Sequence, residues 1–202
     1  MPVSPPETVE LPLFPLHTVL FPGGVLPLKL FEPRYMDMAA RCMRGDSVFG
    51  VCLIRDGGEV GVPAEPYPVG TTARIVGWDM AQPGLLFVTT RGERRFRLLD
   101  RQIHSDRLQS ARVELFDSPP VAVPEALADV LPLLRAIVAD AGDEMFPPPH
   151  QFEACAWVAH RFAEILPIPV EARQRLLEMD DPLQTLEIVR AYLQQHQLVG
   201  AR

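Results

Sequence analysis

The chain has 202 residues, of which 48% are hydrophobic and 22% are charged, a composition typical of a globular protein with one large or two small cores. Its formal net charge of −7 disfavours nucleic-acid binding, which depends on a basic face that neutralises phosphates. The 22 prolines are about twice the usual share, but they are scattered, which excludes a low-complexity chain.

The chain opens with an apolar stretch that prolines and glycines interrupt, LPLFPLHTVLFPGGVLPLKLFEPRY at residues 11–35. No membrane helix fits this sequence. It predicts two short strands, the second at Val25 to Leu30, joined by a tight loop at Phe21-Pro22-Gly23-Gly24. Prolines within such strands place them at sheet edges or bulges. A helix is predicted next, with Pro33 in its first turn and Gly45 at its end.

Short β-rich segments separated by turns follow this helix. Asp56-Gly57-Gly58 and Gln82-Pro83-Gly84 are strong turn signals. The predicted strands lie in VFGVCLIR, TTARIVGWDM, LLFVTTRG, RRFRLLDRQI and SARVELFD. Strands spaced this closely predict a small sandwich or a closed, barrel-like sheet.

The periodicity becomes helical from Pro119 onward, after the linker-like sequence SPPVAVP. Four helices are predicted. Pro132 kinks or breaks the first, and Asp181-Pro182 supplies an N-cap and a first-turn proline for the last. Packing four such helices together buries their apolar stripes. The predicted fold class is therefore α+β, with a β-rich domain at residues 1–118 and a helical bundle at 119–202.

Reactive chemistry is scarce in this sequence. Lys29 is the single lysine and lies between two leucines, so the chain has neither a P-loop nor a Ser–Lys dyad. It also lacks G-x-S-x-G, H-E-x-x-H and G-x-G-x-x-G. His160 and Glu164 lie four apart on a predicted helix, and we interpret them as a surface pair because no third metal ligand is evident. We predict no catalytic residue, no metal site and no cofactor.

The cysteines and the N-terminus bear on location. Cys42, Cys52 and Cys155 form an odd set without C-x-x-C spacing, so neither a disulfide framework nor a zinc site is predicted. The start, MPVSPPETVE, lacks the basic and apolar parts of a secretory signal, and no apolar run reaches the length of a membrane span. These features predict a cytoplasmic protein that does not enter membranes.

The densest basic group lies within predicted strands and consists of Arg91, Arg94, Arg95, Arg97 and Arg101. Alternate residues of a strand lie on opposite faces, which divides the group. We interpret it as a solvated strand face, so nucleic acid is not a favoured partner.

The same opening stretch resembles the start of the Lon N-terminal domain family, the substrate-recognition portion of Lon-type ATP-dependent proteases. The likeness continues through FGVCLI, GEVG, VGTTARI and RGERRFRLL to FAEILPIPVEARQRLLEMDDPLQTLEIVRAYL, about residues 10 to 195. The resemblance implies a PUA-like pseudo-barrel followed by helices. It also implies binding of unfolded or extended polypeptide segments, by a stand-alone module without the Lon ATPase and protease parts. An adaptor is one form of that role.

Five residues are predicted to form the peptide-binding surface: Phe21, Pro22, Phe31, Tyr35 and Trp78. Phe21, beside Pro-Gly-Gly, is expected to be the most exposed. For Phe31 and Trp78 a place in the core is the favoured alternative, because large aromatic side chains are usually buried.

Two other functions stay open at this point. PUA-like folds in other families contact RNA, although the charge of this chain argues against that. A small-molecule binder or an unrecognised enzyme would show a deep pocket with converging polar groups. The sequence predicts neither the oligomeric state nor the client.

Overall fold

The computed structural model describes residues 7–200, except for the side chain of Ala81, and the contacts divide the chain into two compact units, Met1–Asp117 and Ser118–Arg202. In the described part of the chain, the first unit contains six strands and one helix, and the second contains four α-helices and a 3₁₀ turn. The predicted α+β class is confirmed.

The strands of the first unit form one sheet that closes on itself. They are β1 (Glu7–Leu16), β2 (Val25–Leu30), β3 (Phe49–Asp56), β4 (Glu65–Gln82), β5 (Leu85–Ile103) and β6 (Gln109–Phe116), with helix α1 (Pro33–Gly45) between β2 and β3. The strand order is β2-β5-β4-β3-β1-β6, and β5 also pairs with β6. The pairings therefore join β1, β3, β4, β5 and β6 in a ring, while β2 is added to the outside of β5.

β5 is longer than the sequence predicts. Two separate strands are predicted on either side of Gly92, but a single strand runs through it. β2 pairs with the first half of β5 only, β6 pairs with the second half from Arg95 onward, and β4 pairs along β5 from Leu85 to Arg97. A single long strand thus pairs with three other strands. Its length depends on those distant partners, so the turn signals in the local sequence do not predict it.

The core of the first unit lies on both sides of the sheet. Helix α1 has the predicted bounds and packs Tyr35, Met38 and Cys42 against buried strand residues. The rings of Phe14 and Tyr35 lie 4.1 Å apart between centroids. A second cluster inside the ring includes Phe96, which is fully buried. Together these clusters fix the sheet on which the outer strand β2 rests.

The second unit is helical. It contains the 3₁₀ turn (Glu125–Val130), α2 (Leu131–Ala141), α3 (Cys155–Ile165), α4 (Val170–Glu178) and α5 (Pro182–Gln195). Pro132 lies in the first turn of α2, so the predicted break in the first helix is confirmed. Asp181 caps α5, and its carboxylate accepts a hydrogen bond from the Leu183 amide at 2.9 Å.

The interpretation of His160 and Glu164 as a surface pair is wrong. His160 is buried at 5% exposure. Glu164 instead accepts a hydrogen bond from the guanidinium of Arg161 at 2.9 Å, and Arg161 is itself 1% exposed. The reason is that α3 contacts α2, α4 and α5, so side chains on more than one of its faces are enclosed.

Glu164 gives the stability of the protein a pH dependence. Burial raises the pKa of its carboxyl to about 7, against the opposing effect of Arg161 and Arg173. The folded protein keeps this carboxyl protonated up to about pH 7, whereas the unfolded chain releases the proton near pH 4.5. The stabilisation that the bound proton provides is therefore present in acid and is lost as the pH rises through 7. From pH 5 to pH 8 the melting temperature of Glu164→Gln should therefore gain about 5–10 °C relative to the unsubstituted protein, because this pKa difference corresponds to about 2–3 kcal/mol over that range. Parallel melting curves across that range would contradict the assignment.

Candidate functional site

Strand β2 has one open edge. It pairs antiparallel with β5 from Val25↔Arg91 to Leu30↔Leu86, and no other strand of the described residues pairs with it. Both Pro27 and Lys29 are exposed. Proline and charged side chains are typical of edge strands that resist sheet-to-sheet aggregation while leaving backbone groups accessible.

A first depression of about 430 Å³ lies beside β2. It is lined by β2, β4 and β5, with Trp78 and Phe87 as its aromatic residues. The register places Asp79, Phe87 and Lys29 in one row across the three strands. The Lys29 ammonium lies 5.9 Å from the centroid of the Phe87 ring, a cation–π contact.

A second depression of about 230 Å³ also lies beside β2. The two share Pro27, Leu28 and Lys29, and the second adds Phe31 and Val60 among others. We call the β2 surface all residues that line either the first or the second depression. Its most exposed apolar side chains are Trp78 at 64%, Val60 at 62% and Phe31 at 54%. Exposed apolar side chains beside an open strand edge are the arrangement that binds extended peptides in other proteins.

Two residues predicted to lie on the peptide-binding surface are buried instead. Phe21 has no exposed area, and Tyr35 is 5% exposed. The tight loop at Phe21 is present, but it folds against β5, where the Gly23 amide donates to the Gly92 carbonyl at 2.8 Å. Pro22, the neighbouring residue, is half-buried. The expectation that Phe21 is the most exposed of the set is therefore wrong.

Phe31 and Trp78 behave in the opposite way. The favoured place for both was the core, and both are exposed. Phe31 lies between the end of β2 and the start of α1, where neither element covers it. Trp78 lies where β4 carries irregular pairing with β5 on both sides. Such irregularities re-aim side chains, which alternation alone does not predict.

Tyr35 forms part of the floor of the second depression. Burial raises the pKa of its phenol, against the opposing charge of Arg34. The Arg34 guanidinium lies 4.6 Å from the Tyr35 ring, pairs with Glu32 at 2.9 Å and donates to the Arg107 carbonyl at 2.8 Å. These contacts fix the start of α1, and burial keeps the phenol protonated, which makes Tyr35 a structural residue.

The arginines of β5 do not form the solvated face that the sequence predicts. Arg95 is 1% exposed, and its guanidinium lies 4.4 Å from the Phe116 ring centroid. Arg97 approaches the same ring at 5.0 Å. Arg94 and Arg101 form ion pairs with acidic side chains. Most of this basic group is therefore already engaged within the protein.

Three further features of residues 7–200 bear on function: metal ligands, the length of apolar helices and the cysteine thiols. No group of three acidic, histidine or cysteine side chains there is arranged to hold a metal ion. None of the helices in that range is long and apolar enough to span a membrane. The three cysteines are buried without a disulfide, and burial raises the pKa of Cys52, which leaves its thiol unreactive.

Sequence reasoning missed Phe87, Leu28 and Val60. For Phe87 a signal exists, because the alternation of LLFVTTRG puts Phe87 and Thr89 on one face and buries Leu86 and Val88 on the other. For Val60 there is none, since it lies in an irregular segment after β3.

Comparison with known proteins agrees with this architecture. The model of the ATP-dependent protease La (LON) substrate-binding domain matches residues 10–195. The structure of a Lon N-terminal domain protein from Xanthomonas campestris is 34% identical, superposes with a TM-score of 0.76, and is matched over 91% of this chain and 98% of that chain. These similarities define a class of protein, the substrate-binding domains of Lon type.

The chain belongs to the LON substrate-binding domain family, which confirms the resemblance seen in the sequence. The Lon protease of Anaeromyxobacter dehalogenans is 29% identical over 184 residues, 83% of this chain and 21% of that protein. Cereblon of Gallus gallus is 29% identical over 124 residues, 59% of this chain and 26% of that protein. The chain thus spans about a fifth to a quarter of the length of these relatives. The family match covers this sequence except for residues 1–9 and 196–202.

Proposed function

We propose that this protein binds unfolded or extended segments of other polypeptides at the β2 surface and performs no catalysis on them. The observation that supports the proposal most directly is the pair of apolar depressions beside the open edge of β2. Membership of a substrate-binding family is consistent with it. An adaptor that holds such segments for a protease in the cytoplasm is the form of this function that we favour.

The β2 surface offers both parts of a peptide site. Accessible backbone groups along β2 allow an extended segment to pair with them, independent of its sequence. The aromatic side chains Trp78, Phe87 and Phe31 then provide apolar area that a bound segment covers. Tryptophan is enriched among residues that dominate binding energies, because it buries a large area at low entropic cost. Trp78, the most exposed of the three, is therefore the expected anchor.

The alternatives have less support in the described residues. RNA binding needs accessible cations, and most of the arginine group on β5 is buried, stacked or paired. A small-molecule enzyme needs converging polar groups, whereas the first depression is mainly apolar and open.

Trp78→Ala is expected to weaken binding of a permanently unfolded protein, such as a reduced and carboxymethylated one, by about tenfold or more. The physical reason is loss of the largest exposed apolar side chain at the site. Fluorescence anisotropy of the labelled unfolded protein measures the dissociation constant directly. The melting temperature should change little, because Trp78 is 64% exposed.

Ile103→Ala is the matched control. Ile103 is also on the sheet and is 52% exposed, but it lines neither depression. Its replacement should leave the affinity unchanged. Equal affinity of the Trp78 variant and the unsubstituted protein, or equal losses in both variants, would reject the β2 surface as the binding site.

A further inference from the structure

The exposed aromatic side chains of the β2 surface lie next to carboxylates. Asp79 follows Trp78 on β4 and is opposite Phe87 in the register, and it lines the first depression. Glu59 and Glu32 line the second depression with Phe31. Among the described residues that line the two depressions there are three carboxylates and a single basic side chain, Lys29.

The three carboxylates differ in how many hydrogen bonds or ion pairs they already make within the protein. Glu32 pairs with Arg34 at 2.9 Å. Glu59 accepts a hydrogen bond at one oxygen, from the His17 amide at 2.7 Å. The Asp79 side chain is exposed, and its carboxylate has no hydrogen-bond or ion-pair partner within residues 7–200. Asp79 and Glu59 therefore retain acceptor capacity, one in each depression.

The contact between Lys29 and Phe87 shows that an aromatic ring of the β2 surface can bind a lysine ammonium. Its ammonium lies 5.9 Å from the Phe87 centroid, within the range of a cation–π contact. A ring with a carboxylate beside it attracts a cation through both the π face and the opposite charge. The aliphatic stem of lysine or arginine meanwhile covers apolar surface. The two depressions supply this combination on either side of the shared segment Pro27-Leu28-Lys29.

We propose that the β2 surface selects, among extended polypeptides, those in which lysine or arginine flanks apolar or aromatic residues. The inference rests on the proposed polypeptide binding and adds a charge preference to it. Carboxylate-flanked segments are disfavoured, because they would meet Asp79 and Glu59 with like charge.

Three labelled peptides with one common apolar core, flanked by lysine, glutamine or glutamate, test the preference by fluorescence anisotropy. The lysine peptide is expected to bind about threefold to tenfold more tightly than the glutamine peptide, and the glutamate peptide more weakly than both. The differences should shrink between 50 and 500 mM salt because exposed charges are screened.

The double variant Asp79→Asn with Glu59→Gln should bring the three peptides to similar affinity. Asp37→Asn with Glu187→Gln makes the same change in net charge at exposed positions outside both depressions, and it should preserve the order. Equal binding of all three peptides, or an order that survives in the first double variant, overturns the charge preference and leaves polypeptide binding intact. Failure of every peptide and of the unfolded protein to bind rejects the proposed function itself.

Discussion

Phe21→Asp is expected to unfold the protein. Phe21 has no solvent exposure, and truncating a buried phenylalanine costs about 3–5 kcal/mol even when no charge is introduced. An aspartate there also places a carboxylate where water is absent, which adds several kcal/mol unless the structure opens. Because domains are stable by about 5–15 kcal/mol, the two losses together remove most of the folded population. Thermal unfolding followed by circular dichroism, with the yield of monomer on size exclusion, measures the effect.

Phe31→Asp is the comparison for this result. Phe31 lies ten positions further along the chain and is 54% exposed, so the same substitution should leave the melting transition within a few degrees of its starting value. It should instead weaken binding of an unfolded protein, since Phe31 lines the second depression. A folded Phe21 variant with an unchanged transition would show that the loop at residues 21–24 is not packed as described.

The contrast between these two phenylalanines shows what the sequence could and could not provide. The turn chemistry of Phe21-Pro22-Gly23-Gly24 predicted a tight loop, and the loop is present. Which side chain the loop buries depends on Gly92, which is about 70 positions away in the chain and meets the loop only after β5 has formed. Local signals thus identified the element, whereas its exposure was decided by a long-range contact.

The elements themselves were predicted well where the pattern was local. Helix α1 has its predicted bounds because proline and glycine mark its two ends. The break before α2 and the cap of α5 were predictable for the same reason. The open edge of β2 is predicted from Pro27, but its neighbours on β4 and β5 are not, because pairing partners are not contained in a strand's own sequence.

Charge patterns were the least predictable feature. The spacing of Arg161, Glu164 and His160 is that of an exposed helix face, and contacts with three other helices enclose it. Arg95 similarly lies buried against Phe116, in a run that looked solvated. Burial of a charged side chain becomes possible when an aromatic ring or an opposite charge is brought beside it, and only the tertiary structure shows that partner.

Gly92→Ala is expected to destabilise the first unit strongly, although it adds a single methyl group. A Cβ atom at this position would lie 2.3 Å from the carbonyl oxygen of Phe21 and 3.1 Å from Cγ of Leu20. The closer of these atoms belongs to the backbone and cannot rotate away, so the loop and β5 must separate. A cost of about 3 kcal/mol, or a loss of roughly 10 °C in melting temperature, is expected.

The displacement also affects binding, which separates this variant from a general loss of stability. The Gly92 amide donates to the Gly24 carbonyl at 2.9 Å, and this bond fixes the loop that leads into β2. Pushing the loop away from β5 should shift β2. Polypeptide binding should then be weaker even at temperatures well below the melting temperature, where the variant is still folded. Gly58→Ala is the matched control, because a Cβ there meets nothing within 4 Å. If Gly92→Ala melts and binds like this control, close approach of the loop to β5 is not what positions the β2 surface.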